Sequence, residues 1–146
     1  MLRPLKCSNV VIAHEAYAQL NRLINRGVSP TLSGRIENTL GTTPVKQWNT
    51  VAEIRGSEWP DQVVILGAHL DSWDLGTGTT DNATGSMVVM EAARVIAASG
   101  LKPKRTIRFV LFSGEEQGLL GSVAYAAKHA AEMPNVQAVL VLDNGT

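Results

Sequence analysis

The chain is poor in cysteine, in charge and in long apolar runs, and each shortage excludes something. A single cysteine, Cys7, excludes an intramolecular disulfide framework. Charged residues make up 18% of the chain, below the usual ~25% of a globular protein. With 45% apolar residues alongside them, a disordered chain is excluded. No apolar run approaches the ~18 residues that a membrane-crossing helix needs. The 13 glycines and 6 prolines follow no repeat, which removes collagen-like and low-complexity classes. The opening MLRPLKCSNVVIA is basic, but its apolar stretch is too short for a signal peptide. Formal net charge is zero, which argues against a nucleic-acid partner.

What is present is more specific. A length of 146 residues suits one domain and its core. Residues 1–60 carry seven Lys/Arg against four Asp/Glu, whereas residues 61–146 carry six against nine. The carboxylates of the second half fall in short clusters. Such clusters repel unless they are solvated, protonated or bound to a cation.

Hydrophobic periodicity places the elements. Residues 10–13, VVIA, read as a short strand. Residues 14–26 read as a helix with Ala16, Leu20, Leu23 and Ile24 on one face and Gly27 as its cap. Residues 28–47 read as loop. Residues 49–55 alternate as a half-exposed strand, and 62–68 form an apolar run typical of a buried strand; together they suggest a hairpin. Residues 84–99 read as a helix burying Met87, Val88, Ala92, Val95 and Ile96, capped by Gly100. Residues 106–112 are a strand, about 118–131 a helix, and 136–142 a second buried strand. This alternation is that of a three-layer α/β/α sheet.

In such sheets polar sites gather at the carboxyl ends of the strands. The run 62–68 ends at His69-Leu70-Asp71, the run 106–112 leads to Glu115-Glu116, and the run 136–142 ends at Asp143. Taken singly, each signal is modest. Asp81 at a helix start reads equally as a cap, and Glu115-Glu116 as a solvated acidic turn. Taken together, carboxylates with one imidazole suit zinc or a similar divalent ion. One Glu can ligate while its neighbour acts as general base. A pair of ions needs a bridging carboxylate, for which Asp81 is the natural candidate.

The stretches GAHLDSWDLGTGTTDNATG, KPKRTIRFVLFSGEEQGLLGS and VLVLDNGT resemble the M28 family of co-catalytic zinc exopeptidases, in particular its carboxypeptidase Q branch. The separations also agree: 12 residues from His69 to Asp81, 34 to Glu115 and 28 more to Asp143. The resemblance covers residues 46–146 strongly and 8–45 weakly. It implies an incomplete zinc-exopeptidase sheet of the phosphorylase/hydrolase-like type. It implies two zinc ions, with His69, Asp81 and Asp143 on one and Asp81 and Glu116 on the other. Glu115 would be the general base, Asp71 would orient His69, and the Asp81–Asn82 peptide would be cis. The activity implied is hydrolysis of dipeptides or short peptides by a metal-bound hydroxide.

The family takes a histidine for its second zinc from beyond the Asp143 position, and this stretch has none there. The resemblance therefore implies an internal piece that is weak or inactive alone. Residues 1–45 would be the remnant of a protease-associated insert and linker, and 46–146 the N-terminal part of the catalytic domain. Small peptides would be the substrates, with no nucleic acid or membrane partner. Association of copies through the open sheet edge is expected, and a secreted, periplasmic or lysosomal location follows from the family. Alternatives are a glutaminyl-cyclase-like transferase, which uses one zinc, and a non-catalytic relic or interaction module of the same fold.

Among other residues, Trp73 and Asp74 either shape the pocket or merely pack. The sequons at Asn82 and Asn144 adjoin ligand positions and are poor glycosylation sites. Gly76-Thr-Gly78 lacks the third glycine of a dinucleotide loop. Lys102, Lys104, Arg105 and Arg108 read as a solvated basic surface. His14 and His129 are poor substitutes for the missing histidine, His129 reading as an exposed helix residue, and Cys7 reads as an inert thiol.

Overall fold

Apolar runs at residues 62–68, 106–112 and 136–142 predict neighbouring strands, and the computed structural model of the chain pairs them. The structure describes residues 10–37, 39, 41, 43–74 and 76–144. Cys7 and the last two residues of the Asn144 sequon lie outside the described residues. The chain divides into two compact units, Met1–Thr42 and Thr43–Thr146.

In the first unit, helix α1 spans His14–Asn25. Gly27 adopts φ 78°, and the Gly27 and Val28 amides donate to the Ile24 and Leu23 carbonyls. That left-handed step satisfies carbonyls that the helix end leaves open. The expected strand at 10–13 does not form. Those residues are exposed and find no partner strand to take up their backbone groups.

The second unit holds strands β1 (Thr50–Ile54), β2 (Trp59–His69), β3 (Arg105–Phe112) and β4 (Val136–Val141). It also holds helices α2 (Gly85–Ala98) and α3 (Leu120–Lys128). The strands lie in the order β1-β3-β2-β4. β2 runs parallel to both β3 and β4, while β1 is antiparallel to β3. The expected β1–β2 hairpin is therefore a misreading. Both edges of β2 are occupied by parallel partners, and β1 pairs with β3 instead.

Strand periodicity then builds two cores. On one face, Val63, Ile65 and Val110 pack with Tyr125 of α3. On the other, Ala68, Phe109 and Leu111 pack with Val89 of α2, flanked by Ala92, Ala93 and Ile96. The result is three layers, with helices on both faces of a twisted sheet. The face of α2 differs from the sequence expectation. Gly85, Ser86 and Val89 are buried, whereas Met87, Val88 and Val95 are exposed. Small residues let the helix approach the sheet closely, which turns the larger side chains outward. β4 likewise has the composition of a buried strand but leaves Val139, Leu140 and Val141 exposed. Among the described residues it pairs only with β2.

Candidate metal centre

The carboxyl end of β2 lies between β3 and β4, so His69 stands at the middle of the sheet edge. It lies opposite Phe112 in register and is only 3% exposed. Three other segments bring acids to it. Asp143 follows β4, and its Oδ1 lies 3.3 Å from His69 Nε2. Glu115 follows β3, with Oε2 3.9 Å from the same nitrogen. Asp81 comes from an irregular turn, Thr79–Thr84, that leads into α2, with Oδ1 at 3.0 Å. The Asp81–Asn82 peptide is cis. His69, Asp81 and Glu116 offer ligand atoms that all lie within 4.8 Å of one another.

Backbone chemistry locks this arrangement. The His69 carbonyl accepts the Ser86 hydroxyl at 2.8 Å, tying α2 to the end of β2. The Leu142 amide donates to the Gly67 carbonyl at 3.0 Å, extending the pairing of β4 to the residue before Asp143. Asn82, 1% exposed, donates to the Leu142 carbonyl at 2.9 Å and accepts from the Gly85 amide at 3.2 Å. It therefore fixes Asp81 relative to Asp143. A Cβ at Gly85 would collide with Asn82 Oδ1 and meet the Leu142 carbonyl at 2.5 Å, so that position needs glycine. The sequence reading has Asn82 as a poor sequon and as part of a cis peptide, assigns its side chain no role, and passes over Gly85 and Ser86. The available signal was a polar, glycine-flanked segment at the start of a helix that packs on the sheet.

His69 Nδ1 lies 3.0 Å from the Asp71 main-chain oxygen and 3.7 Å from Asp71 Oδ1. A carbonyl only accepts, so Nδ1 carries a proton, and Nε2 is the nitrogen that faces the Asp81 and Asp143 carboxylates. The Asp71 carboxylate faces elsewhere. Oδ1 accepts the Glu115 amide at 3.0 Å and Oδ2 the Glu116 amide at 3.2 Å. The ring-orienting contact is thus made by the Asp71 main chain and not by its carboxylate, which is the group that a His-x-Asp pair suggests.

The electrostatics are one-sided. Asp71, Asp81, Glu115, Glu116 and Asp143 surround one imidazole, and among the described residues no Lys or Arg pairs with them. Burial pulls His69 down, but the hydrogen bond and charge of Asp143 outweigh it, helped by Glu115 and the Asp71 carbonyl. Its pKa is held above 6.5. Burial raises Glu116 above 4.5, as do the charges of Asp81, Glu115 and Asp71, against an opposing pull from His69.

Two atoms test whether a cation fits. Asp81 Oδ1 and Glu116 Oε1 are buried without a hydrogen-bond partner. Burying such oxygens unpaired is costly, and a cation removes the cost. Tetrahedral zinc with bonds near 2.0–2.1 Å places its ligand atoms ~3.3 Å apart. The His69–Asp81 and His69–Asp143 separations of 3.0 and 3.3 Å match that spacing. The residues present therefore fit a divalent metal.

The remaining histidines are committed or remote in sequence. His129 stacks on Tyr125 with ring centroids 4.3 Å apart and bonds Glu132 at 2.8 Å. It is part-buried, not the exposed helix residue expected from sequence. A cleft of about 310 Å³ opens beside the cluster, lined by Ser72, Trp73, Gly76, Thr77, Gly78, Thr79, Thr80, Asp81 and Glu116.

Comparison with known proteins agrees with this geometry. The pattern of peptidase family M28 matches residues 49–146. The chain is 39% identical to carboxypeptidase Q from Xenopus laevis over 141 residues, which is 97% of this chain and 30% of that protein. It thus spans about a third of the length of that relative. The fold matches the peptidase M28 precursor from Shewanella amazonensis at a TM-score of 0.63 and 46% identity. That match covers 65% of this chain and 22% of the other. It also matches a zinc aminopeptidase from Bacillus subtilis at a TM-score of 0.61 and 31% identity, covering 66% of this chain and 24% of the other. With its strand-end acids gathered around His69 and its pattern matched over most of its length, the chain belongs to peptidase family M28.

Proposed function

We propose that this chain builds the metal-binding part of a zinc exopeptidase acting on dipeptides or short peptides. The observation that carries the reading is the pair of buried oxygens without a hydrogen-bond partner, Asp81 Oδ1 and Glu116 Oε1, beside His69 Nε2. In this reading His69, Asp81 and Asp143 would hold one ion, and Asp81 and Glu116 would hold a second. Zinc bound there supplies a Lewis acid for the scissile carbonyl and an acidified water.

The chain's own groups do the rest. Glu115 is 29% exposed by side chain, with Oε2 3.9 Å from His69 Nε2, so it reaches both solvent and the cluster. Its carboxylate takes the proton of the attacking water and returns it to the leaving amine. The Asp71 carbonyl holds the imidazole in the tautomer that leaves Nε2 free. The cleft along Trp73 and Thr77–Thr80 gives a short peptide room beside Asp81 and Glu116.

The same reading divides the chain into the N-terminal part of a catalytic domain, 46–146, and a remnant of a protease-associated insert, 1–45. It places the parent protein in a secreted, periplasmic or lysosomal compartment. Of the three histidines, His69 alone stands at the cluster among the residues of the second unit, so the second ion lacks an imidazole from that unit. The isolated 146-residue chain is therefore proposed to hydrolyse peptides weakly or not at all.

The test is elemental analysis after zinc loading and desalting. One zinc per chain, lost in Asp143→Ala, is expected. No retained zinc would overturn the site. Robust dipeptide hydrolysis, abolished by a chelator, would overturn the proposed weakness of the isolated chain.

A further inference from the structure

The loop after β3 carries the two glutamates on which this reading depends, and something must hold it against the end of β2. Strand pairing does not do so. The last contact between the two segments is the Leu70 amide on the Phe112 carbonyl, at 2.7 Å. Beyond it, Gly114 turns the chain with φ 70°. The Glu115 and Glu116 amides then point the same way, and each finds one oxygen of Asp71, at 3.0 and 3.2 Å.

An ionised carboxylate only accepts, and its two oxygens suit two successive amides. Downstream, the Glu115 carbonyl accepts the Gly118 and Leu119 amides, each at 2.8 Å, and the Gly114 carbonyl accepts Leu120 at 2.9 Å. The loop is thus anchored at one end by α3 and at the other by Asp71. The carboxylate of Asp71 is occupied by this work. The imidazole of His69 is turned instead toward the Asp71 carbonyl, 3.0 Å away, with the carboxylate at 3.7 Å.

We propose that Asp71 is a positioning residue with two separable tasks: its side chain sets the Glu115–Glu116 main chain, and its main chain sets His69. The inference deepens the metal-site reading and rests on it for its catalytic meaning. The contacts themselves belong to the metal-free protein, so they can be tested without zinc or substrate.

The experiment is amide exchange and imidazole nitrogen spectroscopy by NMR on the metal-free 146-residue chain. In the unaltered protein, the Glu115 and Glu116 amides are expected to be protected at least ~10-fold over the unstructured rate. Both exchanging at the unstructured rate would overturn the proposal without any variant. In Asp71→Ala, both amides should lose that protection while His69 keeps its proton on Nδ1. The reverse pattern, intact Glu115 and Glu116 protection with a changed His69 tautomer, would overturn it. Asp71→Asn keeps the shape but replaces one acceptor by a donor, so it should release one amide and spare the other. Two unchanged amides in that variant would also overturn the proposal. Failure of the zinc reading alone would look different, with both amides protected and no zinc retained.

Discussion

Two polar clusters lie against this sheet, and they are built on opposite principles. Around Arg108, on the α3 face, every charge is answered. Its guanidinium is 11% exposed and donates to Glu53, to Tyr125 Oη at 2.7 Å and to Glu132 at 2.9 Å. Glu132 in turn takes His129 Nδ1 at 2.8 Å. Despite burial, which works against it, Arg108 is held above its ordinary pKa by Tyr125, Glu53 and Glu132. His129 and Arg108 lower Glu132. Around His69 the acids outnumber the bases, and two of their buried oxygens have no hydrogen-bond partner. The first cluster is complete within the protein, and the second becomes complete with a cation. The contrast separates a structural ion-pair network from a metal site better than any single residue does.

The sharpest way to break the comparison is to supply the cation. Zinc at 100 times its dissociation constant should stabilise the chain by about 2.7 kcal/mol, visible as a higher melting temperature. His69→Ala should weaken zinc binding at least ~100-fold in calorimetric titration, a change of about 2.7 kcal/mol. An equal zinc response in wild type and His69→Ala would erase the distinction between the clusters.

Next in size is the converse experiment. Arg108→Ala removes a part-buried hub and should cost about 1–3 kcal/mol in urea unfolding. Zinc affinity should be unchanged, because the two clusters share no residue.

These expectations bear on what was legible in the chain. His69, Asp81, Glu115, Glu116 and Asp143 could be read because each follows an apolar run or opens a helix, and parallel strands end on one edge. The Asp71 side-chain contact could not, since the direction of the Glu115 and Glu116 amides depends on a turn at Gly114. The cis Asp81–Asn82 peptide is legible through the resemblance, but the bond of the Asn82 side chain is not, because its partner, the Leu142 carbonyl, lies 60 residues away. The Arg108 network was taken for solvated surface, since nothing local announces that Glu53, Tyr125 and Glu132 meet there. The exposure of β4 and the outward turn of Met87 and Val88 fail for a related reason. Apolar composition marks a surface fit for burial without naming what covers it.

A smaller effect concerns pH. His69 is raised, so its contribution to stability is full below pH 6.5 and fades as pH rises through its folded value. Glu116 is raised from 4.5, so ionising it in the folded state acts in the same direction. The metal-free chain should therefore lose stability from about pH 5 to about pH 8. The zinc-bound chain should behave oppositely, since its ligands must be deprotonated. Melting temperatures at both ends of that range, with and without zinc, check the sign. The smallest change expected is Glu132→Gln. Its side chain is 44% exposed, so solvent screens its pairs with Arg108 and His129, and unfolding should shift by less than ~1 kcal/mol without altering the zinc response.

The order of pairing along β2 carries a consequence for how the chain assembles. The contact of Val63 with Thr106 closes a much shorter loop than that of Val63 with Val136. Longer closures cost more chain entropy before their contacts repay it. Chain entropy thus favours docking β3 before β4, with Glu115 and Glu116 in place before Asp143 arrives. In the proposed site, capture of a cation through Asp143 would report that the last strand has seated, and the ion would then serve as a latch on the finished topology.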